Sequence, residues 1–345
     1  MKRDSIRLQF YFFYISAIVV TVAGLKMASQ AVIVLFLSIF IASILSPALS
    51  WLGGKGVPRS IAFIFLLILV SVTLFLAGAM IVDSLENFIK DIPFYEDKIR
   101  TAIAALGSWL SSIGVSFDPS VLYDSLDLTL LFGFTGRAVG NIGLFLSKAL
   151  LVLIGVSFVM FESPHFERKI HVIFRGRKES LDNFRLFSHT IQKYFTIKTF
   201  TSLLTGVVVA LVLVVFGVKY ASLWGFLAFL LNFIPVIGST IAAIPALATA
   251  FFYQDPMSVF WLGLFYLAIN NIISNVLEPK IMGDGLGLSP AVIFFSLIFW
   301  GWVLGPVGMF LAVPLTMTLK IAFDSHPDTT WIGILLSNMK NKEVS

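Results

Sequence analysis

The sequence predicts an all-α, polytopic transmembrane protein of about eight membrane segments, two of them broken and expected as re-entrant hairpins. Three observations carry this. The chain is 58% hydrophobic and 12% charged, with a mean hydropathy of +0.95, whereas soluble domains carry about 25% charged residues. Its charge-free runs repeatedly approach or exceed the roughly 20 residues that a helix needs to cross a bilayer. Two of them, Tyr220–Gln254 and Gly285–Leu319, are 35 residues long and interrupted near the middle by proline and glycine. At about 1.5 Å per residue a straight helix of that length would measure roughly 50 Å, against a hydrocarbon core of about 30 Å.

The apolar runs cover 8–25, 27–54, 60–82, 138–161, 199–218, the broken 220–254, 256–277 and the broken 285–319. The first follows a basic start, Met1–Arg7, and resembles a secretory signal in outline, but another apolar run follows at once and a retained span is expected. The fourth contains Lys148, near mid-membrane on this reading; such a lysine pairs, snorkels or lines a cavity. The organisation that follows is a three-span bundle over 1–82, an extracellular amphipathic segment over 83–137, and the fourth span over 138–161. A basic cytoplasmic linker occupies 162–198, a transport core 199–325 and a tail 326–345.

Charge sets the expected orientation. Segment 83–137 holds eight acids and four bases, whereas 162–198 holds eight bases and four acids. Cytoplasmic loops carry the excess of Lys and Arg, so the N-terminus, the Lys55–Arg59 loop and 162–198 fall inside and 83–137 outside, with reversals at about residues 26 and 55. Beyond residue 198 two arrangements compete. If the broken runs cross, Asp255 lies inside and Glu278–Asp284 outside; if they are hairpins, these positions exchange. Both arrangements leave the C-terminus inside. Pro235-Val-Ile-Gly238…Pro245 also aligns with Pro306-Val-Gly308…Pro314, as an inverted pair of hairpins would. Any two apolar segments with breakers align tolerably, so the hairpins are an expectation only.

Absence of cysteine excludes disulfides, thiolate catalysis and Cys-ligated zinc. No Walker loop is present, and the basic residues lie between apolar spans rather than along one nucleic-acid-binding face. His165, His171 and His189 are scattered through the basic segment and read as surface residues, so neither a metal nor an enzymatic cofactor is expected. The polar groups that remain near membrane depth are Asn232, before the first break, and Asn270, Asn271, Asn275, Glu278 and Lys280. On an α-helix Asn271, Asn275 and Glu278 share one face, with Pro279 ending the helix behind them. Such a stripe suits a polar solute or monovalent cation, with Glu278 able to take H⁺ or Na⁺; the bland alternative is helix–helix hydrogen bonding and an interfacial Glu–Lys pair. Pro235, Gly238, Gly305, Pro306 and Gly308 would form the breaks and any gate, or serve only close helix packing.

Three groups of residues carry a family resemblance. They are Asn232-Phe-Ile-Pro235-Val-Ile-Gly238 with Pro245, Glu278-Pro279-Lys280-Ile-Met-Gly283 leading into Gly287-Leu-Ser-Pro290, and Gly305-Pro306-Val-Gly308 with Ala312-Val-Pro314. With the order of spans, these resemble the autoinducer-2 exporter family. The resemblance implies a bacterial inner-membrane secondary transporter and a homo-oligomer. Some members are described as exporters of the quorum-sensing signal autoinducer-2, others as Na⁺(Li⁺)/H⁺ antiporters. The expected activity is export of a small polar solute between the two breaks. Cation/proton antiport through Glu278 and a non-transporting membrane scaffold are the alternatives.

Overall fold

A computed structural model describes residues 2–114, 142–173, 178–235, 237–282, 287–325 and 327–338. These residues are helical and contain no strand; one antiparallel bridge joins Leu288 to Ser337. Among the described residues five helical stretches are long and apolar enough to cross a bilayer: Ser29–Gly54, Arg59–Lys90, Ser188–Val215, Pro256–Met282 and Pro306–Asp324. Large apolar side chains such as Phe75, Phe158 and Phe295 point outward from the bundle, 67–72% exposed. A surface this apolar is matched by lipid, not water.

Helices α1 (Lys2–Met27) and α2 (Ser29–Gly54) follow one another without a connecting loop. The chain bends at Ala28, and the Ala28 N–H to Gly24 O and Val32 N–H to Ala28 O bonds remain at 2.9 and 3.1 Å. The reversal expected near residue 26 is therefore absent, because nothing in Gly24–Gln30 breaks the hydrogen-bond ladder sharply enough to turn the chain. The end of α1 lies instead beside a later helix, with the Lys26 ammonium 3.9 Å from the Trp302 ring.

Helix α3 (Arg59–Lys90) runs on past the apolar stretch and ends at Asp91, where Pro93 opens α4 (Ile92–Ser112). Tyr95 is buried between Phe88 and Phe252 and anchors α4 to the bundle. The remainder of the acidic segment lies outside the described residues. Helices α5 (Ile142–Ile173) and α6 (Lys178–Val215) both continue from apolar runs into the basic stretch. Segment 162–198 is thus largely helical continuation on both sides. Lys148 sits exposed in the second turn of α5.

Each broken run folds into two helices packed against one another, α7 (Ala221–Leu231) with α8 (Gly238–Tyr253), and α11 (Pro290–Leu304) with α12 (Pro306–Asp324). Between the hairpins lie α9 (Pro256–Asn270), a π-helical stretch Asn271–Leu277 and α10 (Glu278–Met282); α13 (Thr330–Leu336) closes the described chain. The two hairpins use the same device. A Cβ on Gly238 would stand 1.8 Å from Leu231 O, and one on Gly308 1.9 Å from Trp300 O. Only glycine allows the second helix to start so close to the first. Each second helix then carries an internal proline whose carbonyl accepts a threonine hydroxyl four residues on, Thr249 to Pro245 and Thr318 to Pro314, both at 2.8 Å.

In each pair the two outer ends lie close together. At the first, the hydroxyls of Tyr220 and Tyr253, which flank the run, both donate to Asp91 Oδ2 at 2.7 Å. At the second, Ser289 N–H donates to Leu336 O at 3.1 Å while Gly333 packs on Asp324, so α13 joins the two ends. The 27 residues Pro256–Met282 separate the two pairs in sequence, a helical rise of about 40 Å. Inside the bundle the tips meet. Phe233 of the first stacks on Phe310 of the second at 4.4 Å, and both contact Phe40 near the middle of α2.

Candidate transport site

Beside the meeting tips lies a buried ion pair. Lys198 Nζ on α6 donates to both carboxylate oxygens of Glu278 at 2.9 Å, with the two side chains only 5% and 15% exposed. Burying either charge alone costs several kcal/mol, so each holds the other in place. Thr201, Ser202 and Thr205 follow Lys198 at helical spacing on the same face of α6, and all three are buried. Thr201 Oγ1 approaches Glu278 Oε2 at 3.5 Å, and the Ser202 hydroxyl accepts from Asn232 Nδ2 at 3.0 Å. A polar layer of ammonium, carboxylate, hydroxyls and amide thus joins α6, the first hairpin tip and the start of α10.

The structure divides the residues that the sequence grouped. Glu278 and Asn232 enter the layer. Asn271 and Asn275 are exposed and bond within their own helix, Asn271 to Leu267 O at 2.8 Å and Asn275 to Asn271 Oδ1 at 2.9 Å. Asn270 accepts from Ser274 at 3.3 Å, and Lys280 is exposed. The physical reason is the π segment. Its i→i+5 bonding adds a residue per turn and rotates Glu278 away from the asparagine face that α-helical spacing assigns to it. Pro279 does not end the helix, which runs to Met282; the wide turn just before it accommodates a ring with no N–H to give. The basic partner of Glu278 is Lys198, not the adjacent Lys280.

Lys198, Thr201 and Ser202 were missed because Lys198 closes the basic segment and reads as part of it. The available signal was the Lys198-x-x-Thr201-Ser202-x-x-Thr205 pattern at the start of a charge-free run. Pro235 and Gly238 shape the first tip. Gly305, at φ +69°, Pro306 at the first turn of α12, and Gly308 shape the second.

A second polar cluster marks the opposite end of α6. Asp91 Oδ2 accepts from Tyr220, Tyr253 and Lys219 Nζ, the last at 2.9 Å. The Tyr220 and Tyr253 hydroxyls, then the Lys219 ammonium, hold its carboxyl down at about 2. The α3–α4 corner is thereby latched to both ends of the first hairpin.

The AI-2E family transporter model matches residues 15–328. The AI-2 transport protein TqsA of Escherichia coli (strain K12) is 34% identical over 326 residues, 94% of each chain. A Haemophilus influenzae protein named "Putative transport protein" is 36% identical over 334 residues, covering 95% of this chain and 96% of its own.

Proposed function

This chain belongs to the AI-2E transporter family, a family of transporters and not of enzymes, and we propose that it exports a small polar solute through the layer between its hairpin tips. The two hairpins enter from opposite membrane faces, the Asp91 end lying outside and the Lys55–Arg59 corner, α10 and α13 in the cytoplasm of a bacterial cell. The reading rests chiefly on one observation: the two broken segments meet at Phe233 and Phe310, near the Lys198–Glu278 pair and buried Asn232. Irregular backbone at such depth persists where protein or a water-filled cavity surrounds it, and paired half-helices of this kind mark transport sites. Small displacements of either tip would open the layer to one side at a time. Autoinducer-2 is the cargo we assign, since TqsA bears that name.

A second reading, cation/proton exchange, is favoured by Glu278, a carboxylate held within the layer; Lys198 would have to release it for a cation to bind. One preparation tests both readings. Liposomes containing the purified protein are loaded with autoinducer-2 for efflux, or given a pH gradient and external Na⁺ or Li⁺ with an internal pH dye. Solute efflux above protein-free vesicles, reduced at least tenfold by Asn232→Ala, is the expected result. Cation-evoked proton movement that Glu278→Gln abolishes, without solute efflux, would replace export by antiport.

A further inference from the structure

The facing basic stretches of α5 and α6 enclose a cavity of about 400 Å³, within the roughly 300–1,000 Å³ typical of small-molecule sites. Helix α6 lines it with Arg185, Ser188, His189 and Gln192, spaced i, i+3, i+4 and i+7 and therefore on one face. Helix α5 faces them with Ser163 and His171, while Phe166, Ile170 and Leu181 form the apolar part of the wall. Every polar side chain in this lining can donate a hydrogen bond, and among the described residues no carboxylate lines it.

Two basic side chains touch inside it. Arg185 Nη2 lies 2.7 Å from His171 Nε2. A guanidinium has five N–H donors and no acceptor, so the ring nitrogen accepts and Arg185 keeps further N–H groups for another partner. Among the described residues none hydrogen-bonds the His189 ring, the Gln192 side-chain amide or the Ser163 and Ser188 hydroxyls. These donors converge from two helices around one guanidinium fork, which suits an anion with several acceptor oxygens. A phosphate monoester carries three such oxygens and about −1.5 to −2 charges. A cation would meet only neutral or positive groups. Ser163, Ser188 and Gln192 also line a second cavity, of about 430 Å³, whose wall is largely apolar, with Phe36, Ile39, Met160, Leu311 and Leu315 among its residues and Arg59 its one charge among the described ones. A phosphate held at Arg185 can therefore carry either a small polar group or an apolar chain.

We propose that the cavity between α5 and α6 binds a phosphate monoester, gripped by Arg185 and completed by His171, His189 and Gln192. The phosphate belongs either to a free organic phosphate or to an anionic phospholipid whose acyl chain enters the adjoining apolar cavity; basic pockets between membrane helices take headgroups in this way. Arg185 precedes Lys198 by 13 positions, about 20 Å along a helix, so the site is separate from the polar layer. A bound phosphate ties α5 to α6. The assignment does not depend on what the protein exports, because binding is measured without transport.

The test uses the full chain in phosphatidylcholine nanodiscs, with glycerol 3-phosphate as the soluble probe and phosphatidic acid, doped into the disc, as the lipid probe. The chain has no cysteine, so Ser188→Cys supplies a single thiol in the cavity wall. A phosphate monoester should slow its reaction with a water-soluble maleimide several-fold, and glycerol should not. This protection is read in an otherwise native lining, so it stands even if further variants fold poorly. Adding Arg185→Gln and His189→Gln should raise the probe concentration needed for protection at least tenfold. Adding Arg168→Gln instead, which removes an exposed base of α5 outside the lining, should change it less than twofold. Protection by glycerol 3-phosphate, with or without phosphatidic acid, assigns the site to free phosphates. Protection by phosphatidic acid alone, weakened by the Arg185 and His189 changes, assigns it to a lipid headgroup. Protection by neither probe, equal protection by glycerol, or an equal effect of Arg168→Gln would overturn the proposal.

Discussion

Lys198 and Glu278 illustrate how one residue can be legible and its partner hidden. A lone carboxylate at the end of an apolar run stands out in any sequence, because burying it requires compensation. The lysine that compensates it lies 80 positions away in sequence and is camouflaged by seven other bases of the same segment. The pairing also makes a prediction about stability and function together. Lys198→Met or Glu278→Gln alone leaves one buried charge unpaired and should cost about 3 kcal/mol, the lower part of the range for broken buried pairs. The double variant Lys198→Met/Glu278→Gln should recover most of that loss in thermal unfolding in detergent, yet stay inactive in the liposome assay. Equal destabilisation by the single and double variants would show that the pair is not coupled.

At the scale of the elements, the breaks were legible and the π segment was not. Proline and glycine declare a break locally, since one lacks an N–H and the other permits close approach or positive φ. A π turn is set by how Asn271–Leu277 packs against its neighbours, and the same residues fit an α-helix equally well. That one element leaves Asn271 and Asn275 exposed and turns Glu278 toward Lys198. The matching glycines give a direct test. Gly308→Ala places a methyl group 1.9 Å from Trp300 O and Gly238→Ala places one 1.8 Å from Leu231 O. Each should lower the unfolding temperature by several degrees. Gly53→Ala, with nothing within 4 Å of the added carbon, should leave the unfolding temperature unchanged or raise it slightly. Loss confined to one of the two hairpin variants would contradict their equivalence.

For the whole molecule, composition and charge-free runs were enough to establish a helical multi-pass membrane protein, because lipid permits so few backbone solutions. Counting reversals from charge was less secure. The α1–α2 junction bends at Ala28 without reversing the chain, which parity does not register, and later turns depend on contacts that parity never sees. The meeting of Tyr220 and Tyr253 on Asp91, and of α11 with the chain beyond α12 at α13, is what favours hairpins over crossings. The most direct measurement is labelling of single cysteines, Asp255→Cys and Lys280→Cys, by a membrane-impermeant maleimide on intact cells and on inverted membrane vesicles. Opposed hairpins predict reaction of position 255 only in cells and of position 280 only in vesicles. The reverse pattern would mean that both broken runs cross the membrane, and the central account of two tips meeting from opposite faces would be wrong.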